Sequence, residues 1–310
     1  MVRTTLLVLA LILALILALI LAVAAGALAV HIVPAHLQIR TVHPRLPGAD
    51  ELRTLLRSTD GPEALQWLTT AAQPLDRGTI AHSVFLARWP DGRLFEVDAG
   101  MDKEQAIAFG ELLEIMSSGG AVATYGTVPD QIGATIARVR GLGFTHLHID
   151  HTQGIKAVCA AGPADDAQLF QGDAQASLTD PNTREGAALI ADACFERINL
   201  GSEGLLTPTP FPGMALIPLG GHTACSTMFA FAVDGHLWLL SGDITNTRRA
   251  LLDNQDKGFI YSSLLVPEDT SRTTELREWL AMLDAQDDIT VVVSHDLEAL
   301  ATSGLPGWRS

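Results

Sequence analysis

The chain is short of tyrosine, of cysteine and of positive charge. Two tyrosines stand against ten histidines, and 20 Lys and Arg against 35 Asp and Glu, for a formal charge of −15. No stretch clusters Lys and Arg, so nothing local offsets the repulsion of a phosphate backbone. That excludes nucleic acid as a partner. Three cysteines, Cys159, Cys194 and Cys225, are too few and too irregularly spaced for a disulfide framework or a zinc knuckle. Free buried thiols are the expectation; if one pair bridges in an oxidising compartment, it is Cys159 with Cys194. Internal repeats are absent, and one Leu/Ile/Ala run near the N-terminus is the sole low-complexity tract.

That run extends from Leu6 to Val30, 25 residues without a polar side chain. As a helix rising ~1.5 Å per residue it reaches across a ~30 Å hydrocarbon core. Its length favours an uncleaved anchor, while Ala25-Gly26-Ala27 and Ala27-Leu28-Ala29 keep open the alternative of a signal cleaved on export. Arg3 on one side nearly balances Arg40 and Arg45 on the other. A short leader before a large domain usually exports that domain, so a periplasmic or extracellular catalytic part is expected, or a secreted one after cleavage. The expected organisation is a membrane segment at 1–31, a linker and N-terminal embellishment at 32–78, and a catalytic domain at 79–310.

Within 32–78, helical stretches are expected near Glu51 to Leu56 and Glu63 to Thr70. A β pattern starts at Ser83, turns at Pro90-Asp91-Gly92 and resumes over Leu94 to Asp98. Ile107, Leu112 and Ile115 predict a helix with one buried stripe, and Ile132, Ile136 and Val139 a second helix from Pro129 to Gly141. A short strand then leads into His146, followed by helix and loop to about Asn199. Strands over Ala215 to Leu219, Met228 to Val233 and His236 to Ser241 come next, the last two flanking Asp234-Gly235, a hairpin signal. A helix with Leu276, Leu280 and Leu283 on one face and a strand from Thr290 to Val293 complete a layered α/β pattern.

The chemistry concentrates in Thr145-His146-Leu147-His148-Ile149-Asp150-His151, where a strand ends and a helix begins. Alternate residues of an extended backbone share a face, so His146 and His148 can grip one ion, while Asp150 and His151, carried onward, reach a second. Imidazole and carboxylate suit zinc best, with iron, manganese or cobalt as alternatives. Three later strands each end in a further donor beside glycine or serine: Gly221-His222-Thr223, Gly242-Asp243 and Ser294-His295-Asp296. His31, His36, His43, His82 and His236 match none of these patterns and are expected to lie outside the site.

From Ser83 to Asp296 the chain resembles the metallo-β-lactamase superfamily, whose HxHxDH signature is met by His146, His148, Asp150 and His151. The resemblance implies an α/β fold, a four-layer αββα sandwich, here preceded by one N-terminal apolar helix. It implies two divalent metal ions, the first on His146, His148 and His222, the second on Asp150, His151 and His295, with Asp243 bridging. Asp98 would be a buried carboxylate supporting the ligands. The implied activity is hydrolysis of an ester, lactone, thioester or amide bond of a small substrate by a metal-bridging hydroxide, with Asp150 as proton relay.

Departures from the family pattern bear on substrate. Thr152-Gln153-Gly154 replaces two glycines, and Cys225 interrupts GHTxGS, a position that reads as a buried small residue. Lactonases of this superfamily often carry a tyrosine where this chain has Asn246; Tyr261 is the candidate substitute. Competing readings are a phosphodiesterase of the same fold, a mononuclear iron enzyme acting on sulfur compounds, a β-lactamase proper and a tethered binding module without catalysis. The sequence leaves the oligomeric state open.

Overall fold

Seven strands form one mixed sheet: β1 (Ala64–Leu75), β2 (Gly78–Arg88), β3 (Leu94–Val97), β4 (Ala123–Thr124), β5 (Val139–Gly143), β6 (Gln168–Gly172) and β7 (Glu196–Leu200). Their spatial order is β4-β1-β2-β3-β5-β6-β7, antiparallel as far as β3 and parallel from β3 to β7. Five more form a second mixed sheet: β8 (Thr207–Pro208), β9 (Met214–Pro218), β10 (Thr227–Val233), β11 (His236–Leu240) and β12 (Ile289–Val292), in the order β12-β11-β10-β9-β8. This computed structural model describes every residue except 1, 77, 117, 118, 202, 203, 309 and 310, and at 2, 3, 115 and 116 it describes the backbone only.

Period-2 alternation in the strands dictates the layering. In β10, Phe229 and Phe231 pack with Phe85, Phe95 and Phe170 of the first sheet, while Met228 and Ala230 turn outward to Leu276 and Leu280 of the helix Thr270–Asp284. In β2 and β3, Val84, Leu86 and Leu94 face the opposite way, toward Val128, Ile132, Ile155, Val158 and Ile190 of the covering helices. Three apolar layers thus join helices, sheet, sheet and helices, the expected αββα sandwich. Each Phe that fills the central layer contributes roughly 1.5–3 kcal/mol of burial. At the β10–β11 hairpin Asp234 and Gly235 both take positive φ (51° and 78°), as a two-residue turn matched to strand twist requires.

Several elements differ from the sequence reading. Residues 64–75, read in part as a helix, are β1, paired with β2 from Ala64 opposite Arg88 to Leu75 opposite Gly78. Interior Thr, Trp and Leu suit a strand buried on both faces, and the sheet therefore begins inside the segment expected as an embellishment. The helix starting at Val128 yields to a 3₁₀ turn at Gly133–Arg138, and Val139 opens β5. The helix-and-loop region before Asn199 contains the parallel strands β6 and β7. The helix Lys103–Met116 buries Ala106, while Ile107 and Leu112 are exposed, so the expected stripe is not its buried face; the Ile115 side chain lies outside the described part. Cys159 and Cys194 form a disulfide, correcting the free-thiol expectation, and Cys225 is free and buried.

The N-terminal helix Val2–Ile39 leaves its apolar run uncovered, and its last turns bury Ala35 and Ile39 against the body. The segment after it is fastened down: Pro44 O accepts from Arg272, Pro47 O accepts from Trp279, and His43 pairs with Asp269.

Candidate metal centre

Strands β3, β5, β9, β11 and β12 all end at one edge of the sandwich, and each delivers a polar residue there: Asp98, His146, His222, Asp243 and His295. His148 caps the short helix Ile149–Thr152, whose first turn turns Asp150 and His151 back to the same place. Close backbone approach is needed on both sides of that helix. A Cβ on Gly154 would stand 2.0 Å from Ala99 O, and one on Gly242 (φ 58°) would stand 2.9 Å from Thr145 Cβ.

All seven residues read from the motifs converge. His146 Nε2 lies 3.0 Å and His222 Nε2 lies 3.2 Å from His148 Nδ1. Two nitrogens bound ~2.0–2.1 Å from one tetrahedral ion stand about 3.3 Å apart, so this spacing fits a shared cation. Asp150 Oδ2 lies 3.6 Å from His151 Nε2 and 3.5 Å from His295 Nε2. Asp243 reaches both groups, with Oδ2 at 2.9 Å from His295 Nε2 and 3.8 Å from His222 Nε2, and Oδ1 at 3.4 Å from His151 Nε2. Among the described residues, buried His151 Nε2 and Asp243 Oδ1 find no hydrogen-bond partner. Buried donors without partners are costly unless something else binds them, and a metal ion suits both.

The far side of each ring is held. Asp98, strained at φ 61°, accepts from Thr145 N (2.7 Å) and from His151 Nδ1 (2.9 Å), the supporting role expected for it. His295 Nδ1 donates to Ala81 O at 2.7 Å. His222 Nδ1 donates to Glu268 Oε1 at 2.5 Å, and Lys257 Nζ lies 2.9 Å from the same oxygen while donating to Asp243 O at 2.6 Å. Such contacts fix each tautomer and leave the other nitrogen free for a cation.

Electrostatics favour positive charge at the centre. Burial, with neighbouring imidazoles, keeps His146 well below the ordinary histidine range and holds His148 at about 3, so both rings are neutral donors. Burial also opposes charge on His151 and His295, yet the Asp98, Asp150 and Asp243 carboxylates outweigh it at His151, as Asp243 and Asp150 do at His295, and both rise. Burial resists ionisation of Asp150 and Asp243; the surrounding imidazoles overcome it and both sit below the carboxylate range.

Sequence reasoning missed three members. Glu268 and Lys257 match no metal-ligand pattern in the sequence. His82, expected outside the site, is buried beside Asp150, its Nδ1 3.4 Å from Asp150 Oδ2. His36, His43 and His236 bond elsewhere, to Ser263, Asp269 and Thr290. A cleft of about 1370 Å³ opens onto His295, lined also by Ile80, Asn246, Lys257 and Tyr261.

No family model matches the chain and no curated protein matches it. Solved structures do. An N-acyl homoserine lactone hydrolase, with N-hexanoyl-L-homoserine at its catalytic metal centre, superposes with a TM-score of 0.55 at 16% identity, covering 78% of this chain and 96% of that one. A hydrolase of the β-lactamase superfamily gives 0.51 at 17%, covering 78% and 92%. A dizinc quorum-quenching lactonase gives 0.50 at 15%, covering 81% of each. Two facing mixed sheets between helices are thus matched over 81 to 96% of the length of these structures, and the chain has the metallo-β-lactamase fold.

Proposed function

We propose that the protein is a dinuclear metal-dependent hydrolase acting on an ester, lactone, thioester or amide bond of a small substrate. The observation that carries this reading is the convergence of seven side chains, with Asp243 within 3.8 Å of His151, His222 and His295, beside a cleft that opens onto His295. His146, His148 and His222 would hold the first ion, and Asp150, His151 and His295 the second, with zinc the ion best suited to these donors. Two ions bound there would bring the pKa of a shared water toward ~7 and polarise the scissile carbonyl. Asp150, ionised at neutral pH, takes up the proton released on attack and passes it to the leaving group. Tyr261, on the cleft wall, donates its hydroxyl to the developing oxyanion; burial, with Glu268, Asp243 and Asp150 nearby, keeps that phenol protonated well above its ordinary range.

The charge of the cleft favours acyl over phosphoryl substrates. Asp76, Glu114, Asp256, Asp296 and Glu298 line it against Lys257 and Arg249, and Lys257 is already committed to Glu268. Away from the ions, this wall would repel a polyanionic substrate.

The enzyme is anchored by its N-terminal helix with its catalytic part outside the cytosol, a compartment in which the Cys159–Cys194 disulfide persists. His36 Nε2 lies 3.1 Å from Ser263 O. His36 stands six residues, or about 9 Å, beyond the apolar run, which is headgroup depth. The short helical turn around Ser263 exposes Phe259 (78%), Ile260 (65%), Leu264 (44%) and Leu265 (44%), and Tyr261 of that turn walls the cleft. The cleft mouth therefore borders the bilayer surface, a position that suits an amphiphilic acyl substrate.

The test is a panel of acyl lactones, thioesters, amides, phosphodiesters and β-lactams on the full chain in nanodiscs with zinc. Turnover of acyl substrates, lost in His148→Ala, is the expected result. Turnover confined to phosphodiesters, or full activity in His148→Ala, overturns it.

A further inference from the structure

Asp150 Oδ2 is ringed by three imidazole nitrogens at nearly equal distance: His82 Nδ1 at 3.4 Å, His295 Nε2 at 3.5 Å and His151 Nε2 at 3.6 Å. These separations are long for hydrogen bonds and match those between donors sharing one cation. The potential donor atoms of His82, Asp150 and His295 all lie within 4.8 Å of one another, and all three residues are buried. His82 Nδ1 is itself buried without a hydrogen-bond partner among the described residues, which leaves it open to a cation. We infer that His82 is an eighth metal-binding side chain and ligates the second ion. The inference rests on the dinuclear reading above.

Its placement is built into the sheet. Ala81 N donates to His295 O while His295 Nδ1 donates to Ala81 O, so β2 is clamped to the β12 loop immediately beside His82. The β1–β2 register slips between Thr69 and Ala71, leaving Thr70 as a bulge facing His82, whose carbonyl accepts from Thr70 Oγ1. Bulges commonly bend a strand next to a site. The Phe109 and His295 rings, with centroids 5.3 and 5.4 Å away, pack edge-on against the imidazole.

With His82 counted, the second ion has five protein donors, His82, Asp150, His151, Asp243 and His295, against three imidazoles and the shared Asp243 at the first. A zinc site usually takes four ligands, and a crowded nitrogen and oxygen shell favours an ion at ease with six, such as cobalt, manganese or iron.

The probes are zinc and cobalt themselves, added to the metal-stripped full chain in detergent. The expected result is two ions per wild-type chain and a loss of more than about a hundredfold in affinity for the second in His82→Ala. That exceeds the cost of removing an outer contact to a ligand. His82→Gln, which can still hydrogen-bond Asp150, should not restore it. In His82→Cys loaded with cobalt, a thiolate-to-cobalt charge-transfer band should appear in the near ultraviolet, a readout independent of activity and open only to a side chain bonded to the ion. Wild-type affinity for both ions in His82→Ala, rescue by His82→Gln, or two cobalt ions in His82→Cys without the band would overturn the assignment. A wild-type chain that binds fewer than two ions sinks the dinuclear reading, and this inference with it.

Discussion

Glu268 stands directly behind His222, its Oε1 2.5 Å from Nδ1, and so fixes which nitrogen of that ring faces the metal centre. The helix Thr270–Asp284 supplies the register. Asp269 caps it by accepting from Arg272 N, and Asp269 N donates to Gly221 O, tying the helix start to the loop that carries His222. Lys257 and Ser262 hold the Glu268 carboxylate, and although burial opposes its ionisation, Lys257 and His222 bring it down to about 2.

Glu268→Gln should therefore weaken the first ion by about 10–100-fold, the usual cost of losing an outer carboxylate behind a ligand histidine. Chelator competition measures this directly. Excess metal should recover much of the turnover, because the imidazole itself remains; unchanged affinity would show that Glu268 does not orient His222.

Glu96 carries a pH dependence of stability. It lies between Leu86 and Leu142 on neighbouring strands, fully buried, both carboxyl oxygens without a partner among the described residues, and burial followed by the Asp98 charge pushes it up to about 8 from 4.5. A carboxyl protonated in the fold and ionised on unfolding contributes stability that is intact below pH 4.5 and is lost as pH rises toward 8. The loss by pH 7 is about 3 kcal/mol. Glu96→Met should flatten that slope, so its melting temperature should exceed that of the parent by a margin growing from pH 5 to pH 8. A margin constant with pH would contradict this.

The strand ends were legible because each pairs an apolar run with a donor and a small residue, a pattern that survives in one dimension. What was not legible lay in residues whose meaning comes from across the fold. His82 sits in a strand with no motif around it, and only the β2–β12 clamp brings it to Asp150. Glu268 and Lys257 are ordinary loop charges until the helix after them docks on Gly221. β1 was misread because a strand covered on both faces loses the alternation that identifies strands, and Ile107 and Leu112 because helical spacing shows a stripe without showing what covers it.

The disulfide closes a span of 35 residues that includes β6 and the helix Arg184–Ala191. Constraint of the unfolded chain over such a loop is worth about 3–4 kcal/mol. Replacing both Cys159 and Cys194 by serine should lower the denaturant midpoint accordingly, with a steeper slope because the unfolded chain is released to expand. In the native parent neither cysteine should react with a thiol reagent, and Cys225 should react only after unfolding, being buried with its thiol pushed up to about 11 chiefly by desolvation.

If the helical turn around Ser263 rests on the bilayer, a fluorescent probe at Phe259→Cys in full-length protein should report a lipid environment. Its emission should shift to the blue in nanodiscs, be quenched by lipid-borne spin labels and be shielded from iodide. The same probe shielded by neither lipid nor protein, in chain that has entered the disc, would place the cleft mouth away from the membrane. Chain that fails to enter the disc would argue instead for the cleaved-signal alternative.

Tyr261 separates a wall residue from a participant. Lys257 sits 5.4 Å above the ring, and burial, followed by the carboxylates of Glu268, Asp243 and Asp150, opposes its ionisation, so the phenol stays a donor through the alkaline range. An oxyanion donor is made useful only in the transition state, so Tyr261→Phe should lower kcat by roughly a hundredfold or more with KM little changed. Metal content should be untouched, since the hydroxyl binds neither ion. A packing role predicts the reverse: the ring survives in phenylalanine, so kcat would hold, and damage would appear only in Tyr261→Ala, as lost stability or raised KM.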